Sequence, residues 1–365
     1  HAQNETTMDI YDVKLPLELW EIIFKLVLHE IRHPYSYCTP ETYPRYQLRF
    51  RYWIGSRWDS PLKDWKAIRL VCRTWRYLAG PQPHVNFSQV PPNFSLPDAL
   101  KGVSSILLQL DTGTAEIILP ALLQHPSISS NLTTIDLGSY AYWPNSPLLL
   151  DNPKAFPNVR CLSLPGLVNV RSFWRALQDG YPQLVSLTIR YNIMPAGAGD
   201  YVFPNLEILN LYSWGYQRLS CPSLKHFAIR MWSTSIAEFV TKHGHQLQSF
   251  VLDQRITSSL IWSMPGDLLR TTLPNLQMFG GEISSTLPSP PPGHPLRHLR
   301  LFAQACSLDI HGVLKRLEPF PEITHLHIQF SEFGSSTIND LREHCIKRKI
   351  KLVDVLNVKG APSAT

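Results

Sequence analysis

The sequence predicts an α/β protein: a small all-helical module at the amino end, then a right-handed solenoid with a parallel sheet inside and helices outside. A frame recurring along most of the 365 residues carries that prediction. It reads Pro-x-apolar-x-x-apolar-x-apolar and is clearest in Phe203-Pro204-Asn205-Leu206-Glu207-Ile208-Leu209-Asn210-Leu211. It returns at Pro157 (Val159, Leu162, Leu164), Pro182 (Leu184, Leu187, Ile189), Pro222 (Leu224, Phe227, Ile229) and Pro321 (Ile323, Leu326, Ile328). Versions without the proline run through Val103, Leu132, Leu247 and Leu296, and a degraded one starts at Pro274. The first apolar positions lie roughly 18–29 residues apart, the spacing of units that cannot bury their own apolar side and must stack on neighbours. Stretches of helical periodicity alternate with the frames, and strand-then-helix repetition gives parallel strands with right-handed crossovers.

Residues 1–13 are polar and are expected to be disordered. A module over 14–83 follows. Its first helix places Leu15, Leu19, Ile22, Ile23, Leu26 and Val27 at helical spacing, with Pro16 where a first-turn proline is tolerated and Pro34 as the stop. Residues 34–60 form an insertion rich in Tyr, Arg, Trp and Pro. A second helix runs from Leu62 to Leu78, with Ile68, Val71, Cys72, Trp75 and Leu78 on one side, and Gly80-Pro81-Gln82-Pro83 closes the module.

The solenoid spans 84–335. Helices are expected at Thr114–Gln124, Val170–Gln178, Ser235–His243, Thr257–Leu269 and Ser307–Leu317. The Leu287–Pro295 stretch reads either as an extended proline ligand for another domain or as a stiff loop between repeats, and the loop is preferred. Residues 336–365 supply a capping helix at Thr337–Lys349, a last strand and a tail.

Hydrophobic residues make up 44% and charged residues 17%, a composition for a buried core rather than for disorder. The net charge of +6 is compatible with an acidic partner without demanding nucleic acid. The cysteines (Cys38, Cys72, Cys161, Cys221, Cys306, Cys345) are scattered singly, which points to free thiols and a cytoplasmic or nuclear setting. No apolar run of 18 or more residues is present, and the polar amino end lacks the make-up of a signal peptide.

The module's two halves have a recognisable form. Leu15-Pro16-Leu17-Glu18-Leu19-Trp20-Glu21-Ile22-Ile23-Phe24-Lys25-Leu26, then Ile68-Arg69-Leu70-Val71-Cys72-Arg73-Thr74-Trp75-Arg76-Tyr77-Leu78-Ala79, resembles the F-box, here followed by what resemble leucine-rich repeats. The resemblance implies a module that docks on a Skp-type adaptor and, through it, on a cullin ubiquitin ligase, while the repeats capture a protein substrate. It implies adaptor contacts at Leu15, Pro16, Leu19, Ile22, Ile23, Leu26, Val71, Cys72, Trp75 and Leu78. The departure is the 34–60 insertion, which makes the gap between the halves longer than the family pattern. Independently, so small a module cannot bury all these apolar groups by itself, and leftover apolar surface suits a partner or the first repeat.

In each strand the second and third apolar residues point to the core, so their neighbours face the other way. That parity selects candidate substrate-binding residues Arg190, Tyr212, His226, Arg230, Arg300, Phe302, His325 and His327, basic and aromatic types that dominate hot spots. Convergent arginines favour an acidic or phosphorylated segment, and a generic solvated face is the plain alternative.

His29-Glu30-Ile31-Arg32-His33 matches the H-E-x-x-H pattern of zinc hydrolases. Pro34 ends the helix where the metal site would need it to continue, and no suitable third ligand follows, so neither metal nor cofactor is expected. The aromatic and basic residues between Arg45 and Arg76 could stack on single-stranded nucleic acid, but the modest charge and absent nucleic-acid signature argue against it. The sequence reading is therefore a non-enzymatic substrate receptor of a ubiquitin ligase. A binding scaffold with an adaptor-docking module but no role in ubiquitin transfer is the rival.

Overall fold

The computed structural model of the chain describes residues 19, 38–41, 43–44, 84–87, 95, 106–110, 112–137, 149, 152–164, 173–189, 200–211, 218–229, 233–252, 267–282, 289–302, 310–330 and 333–355. These form an α/β fold around one parallel sheet of 12 strands, with a separate two-stranded sheet. The large sheet comprises β1 (His84–Phe87), β2 (Ile106–Leu110), β3 (Leu132–Leu137), β4 (Cys161–Leu164), β5 (Ser186–Ile189), β7 (Ile208–Leu211), β9 (His226–Ile229), β10 (Ser249–Leu252), β11 (Met278–Glu282), β12 (His298–Phe302), β13 (His325–Ile328) and β14 (Lys351–Asp354). Each pairs with the next in sequence order. Between them stand helices α1 (Thr112–Leu123), α2 (Pro126–Ser129), α3 (Phe173–Gly180), α4 (Thr234–His243), α5 (Leu268–Thr271), α6 (Ile310–Leu317) and α7 (Ser335–Lys347).

The apolar positions of the frame do the work expected of them. The second and third of each strand, such as Leu162 and Leu164, Leu187 and Ile189, Phe227 and Ile229, or Phe250 and Leu252, lie in one continuous core. Helix residues Phe173 and Leu177, Ile236 and Val240, Val313 and Leu317 pack into that same core. The helices therefore cover one face of the sheet.

The residue after the frame's proline has a structural role of its own. Asn158 Nδ2 donates to the Ser130 carbonyl (2.7 Å), Asn205 Nδ2 to Pro182 (3.0 Å) and Asn275 Nδ2 to His245 (2.7 Å). Ser223 Oγ does the same to Pro204 at 2.6 Å. Each turn is thereby tied to the one before it, and a backbone ladder (Glu207 N to Val185 O, Lys225 N to Glu207 O, Gln248 N to Lys225 O) runs beside these bonds.

The closest-spaced repeats depart from strand-then-helix. Around β7 the outer elements are β6 (Asp200–Val202) and β8 (Arg218–Ser220), paired in parallel. A repeat of roughly 18 residues has no room for a strand, two turns and a helix. These two strands fill the helical layer instead: Gln178 of α3 accepts from Val202 N, and His243 of α4 donates to the Leu219 carbonyl.

The Leu287–Pro295 stretch behaves as a loop where it is described. His294 is buried, its Nδ1 accepts from Leu296 N, and its Nε2–H is therefore the donor to the Leu269 and Leu273 carbonyls at 3.1 and 2.9 Å. The capping helix ends at Lys347 rather than Lys349, because Lys349 turns left-handed (φ 57°). Ile350 N then reaches the Cys345 carbonyl (2.8 Å) and Lys349 N that of Ile346, a Schellman closure with lysine where glycine is usual. Arg348 anchors this end on the Leu317 and Phe320 carbonyls.

Candidate functional site

The sheet face opposite the helices carries two rows of side chains in register. One row runs Cys161, Ser186, Ile208, His226, Ser249, Met278, His298, His325 and Lys351. The next runs Ser163, Thr188, Asn210, Ala228, Val251, Gly280, Arg300 and His327. Polar and apolar groups are mixed here, whereas the helix-side positions of the same strands are almost uniformly apolar.

This face is covered by residues from the amino-terminal insertion. Tyr43 is 0% exposed and packs in a second apolar cluster with Cys161, Ile208, Ala228, Val251, Met278 and Phe302, with Cys38 beside it. Its ring stacks on His226 (centroids 5.0 Å, 27° between planes), and its hydroxyl donates to Asn210 Oδ1 at 2.6 Å. Asn210 Nδ2 in turn donates to Thr188 Oγ1 (3.1 Å). A carbonyl only accepts, so His226 Nε2–H donates to the Cys38 carbonyl (3.1 Å) and Nδ1 accepts from the Ser249 hydroxyl (2.9 Å). Arg300, 1% exposed, lies over the Phe302 ring at 4.4 Å and donates from Nη1 to the Pro44 carbonyl at 3.1 Å. At the rim the Glu41 carboxylate stands 3.7 Å from His325 Nε2 and 3.5 Å from Lys351 Nζ.

Parity therefore places the described candidates on this face, but they meet protein rather than solvent. His226, Arg300, Phe302 and His327 are buried, and His325 is half-buried beside Glu41. The expected exposed substrate surface is corrected here to a covered one, because Cys38–Glu41 and Tyr43–Pro44 occupy it. Arg190, Tyr212 and Arg230 lie outside the described residues, as do His29, Glu30, His33 and every proposed adaptor contact except Leu19. Leu19 is helical and 44% exposed. Sequence reasoning missed Tyr43, Glu41 and the Cys38 carbonyl, while the strand alternation already pointed Asn210 to this face.

Three histidines cluster on β12 and β13: His298 stacks on His325 (4.4 Å), and His298 Nδ1 is 3.3 Å from His327 Nε2. Among the described residues no group of three or more His, Cys, Asp or Glu is placed to hold a metal ion. Cys38, Cys161, Cys221 and Cys345 carry free thiols, and burial pushes the Cys38 thiol well above its ordinary range. Neither family models nor curated proteins offer a match to this chain. No helix among the described residues is long and apolar enough to cross a membrane.

Burial lowers the His226 pKa to about 3, against an opposing bond to the Cys38 carbonyl. Burial, then the neighbouring His325, lowers His298 to about 4, with Glu41 opposing and Lys351 adding to the shift. A histidine held neutral in the covered state binds fewer protons there than when released. Its stabilising contribution is thus full above its free value of about 6.5 and is lost as pH falls toward the lowered values. Urea denaturation at pH about 7.5 and about 4.5 should show a loss on the order of 2 kcal/mol from His226. The His226→Gln variant should have a flatter pH profile.

Proposed function

We propose that the chain is a non-catalytic protein-recognition subunit of a Skp–cullin–F-box ubiquitin ligase. Residues 14–83 act as the F-box and dock the adaptor, and the sheet, a right-handed leucine-rich-repeat solenoid in this reading, holds a protein substrate. The observation that carries the recognition half is a sheet face already gripping a peptide segment through its backbone. His226 and Arg300 donate to the Cys38 and Pro44 carbonyls, and Asn210 takes the Tyr43 hydroxyl. A preference for acidic segments is supported by Glu41 between His325 and Lys351. The adaptor half is supported by the Leu15–Leu26 and Ile68–Ala79 motifs and by the exposed helical Leu19. The reading places the protein in the cytoplasm or nucleus.

Changing Leu15 and Pro16 together to Ala, or Trp75 to Ala, should reduce adaptor recovery in pull-downs at least tenfold, in keeping with about 2–5 kcal/mol for large-to-small changes at buried apolar contacts. Undiminished recovery by the double variant would exclude these residues as the adaptor site. Recovery of adaptor without cullin would favour the second reading, a scaffold that takes no part in ubiquitin transfer. The zinc-hydrolase reading through His29-Glu30-x-x-His33 gains no support from the covered sheet face.

A further inference from the structure

We propose that the sheet face under residues 38–41 and 43–44 is a reversible binding site for segments of the form Glu-x-Tyr-Pro, with the chain's own Glu41, Tyr43 and Pro44 as its resident occupant. The proposal rests on the protein-recognition reading and names the ligand class. The first ground is the make-up of the face. A surface meant to stay covered is most stable when apolar, as on the helix side, because buried polar groups gain little net energy from their bonds. Here Ser186, Thr188, Asn210, His226, Ser249 and Arg300 line the covered side. Such a mixture can be rewetted at low cost, the character of a transient interface rather than of a core.

The second ground is how the occupant is held. Two of its contacts are to backbone carbonyls, of Cys38 and Pro44, which any peptide following that path presents. Side-chain identity enters at Tyr43, stacked on His226 and bonded to Asn210, and at Glu41 by His325 and Lys351. Those two positions define the ligand: an acidic residue, one spacer, tyrosine, then proline. The occupant lies 167 to 310 positions from these partners in the same chain, so it acts as a tethered competitor. The tyrosine must be unmodified. A phosphate on it would set anionic oxygens against Asn210 Oδ1, an acceptor 2.6 Å from the hydroxyl.

The test uses the full chain and a synthetic peptide of residues 37–46 carrying Cys38→Ser. Iodoacetamide labelling is followed cysteine by cysteine by peptide mapping, with Cys221 and Cys345, buried in the helix-side core, as controls for global opening. The peptide should raise the Cys38 labelling rate about tenfold in a saturable way and leave the controls unchanged. The Tyr43→Ala and phosphotyrosine peptides should have no effect. A resident occupant bound too tightly to displace is covered by a second measurement. The labelled peptide should bind directly, by fluorescence anisotropy, to the Tyr43→Ala chain and to the Glu41→Lys chain, whose altered residue is half exposed and tolerates change. Absence of binding to both, or equal binding of the phosphorylated peptide, overturns the proposal. Since the readout is the sheet face alone, loss of adaptor docking leaves the result unaffected.

Discussion

Phe250→Ala should destabilise the sheet by about 3–5 kcal/mol, the range for removing a buried aromatic ring and leaving a cavity. Phe250 is 0% exposed and sits mid-sheet on the helix side. Its ring stacks on Phe227 (5.8 Å) and is tilted against Phe279 (6.1 Å), while Phe227 meets Phe239 of α4 at 5.0 Å. One ring thus joins β9 to β11 and, through Phe227, the sheet to its helical layer. In a sheet where each strand pairs only with the next, strand pairing offers no second path around a weakened junction. Urea unfolding should therefore show a lower midpoint and a shallower slope, as the two halves come apart separately. Ser249→Ala, one residue away on the opposite face, removes the donor to buried His226 Nδ1 and should cost a smaller amount, about 1–3 kcal/mol. A Phe250→Ala cost under about 1 kcal/mol would mean that the aromatic column is not what binds the halves.

The sheet was legible in the sequence because its cause is local. A two-residue alternation fixes which side chains enter the core, and Leu209, Phe227 and Phe250 all follow it. The turns were half legible: Pro204 marks a boundary, but the donation from Asn205 to the previous turn needs the neighbouring repeat in place. The end of α7 was misplaced by two residues because Lys347, Arg348 and Lys349 all suit a helix, and only the left-handed Lys349 reveals the stop. The covered face was illegible for a different reason. Alternating polar residues such as Ser186, Thr188 and Asn210 read alike whether they meet water or a polar interface. The segment that meets them lies far away in sequence and has no periodicity to betray its destination.

Tyr43→Ala should release residues 38–44 while the sheet stays folded. The ring is fully buried, stacks on His226 and supplies the hydroxyl bonded to Asn210, so its removal should cost the docked state about 3–5 kcal/mol. Even about 3 kcal/mol changes an opening equilibrium more than a hundredfold. Cys38 labelling should accelerate, because its thiol is partly covered beside the ring and burial there raises its pKa. Tyr43→Phe keeps the stack but leaves Asn210 Oδ1 without the hydroxyl's hydrogen bond, a smaller loss of about 1–3 kcal/mol. The decisive comparison is local against global opening. If the segment is a docked ligand, Cys221 and Cys345 in the helix-side core stay protected and the main urea transition moves far less than Cys38 reactivity does. If Tyr43 is instead part of the core, Cys221 and Cys345 become reactive together with Cys38 and the sheet melts in one step. That second outcome would also remove the basis for a separable binding face, since His226 and Arg300 would then be structural residues and not peptide-gripping ones.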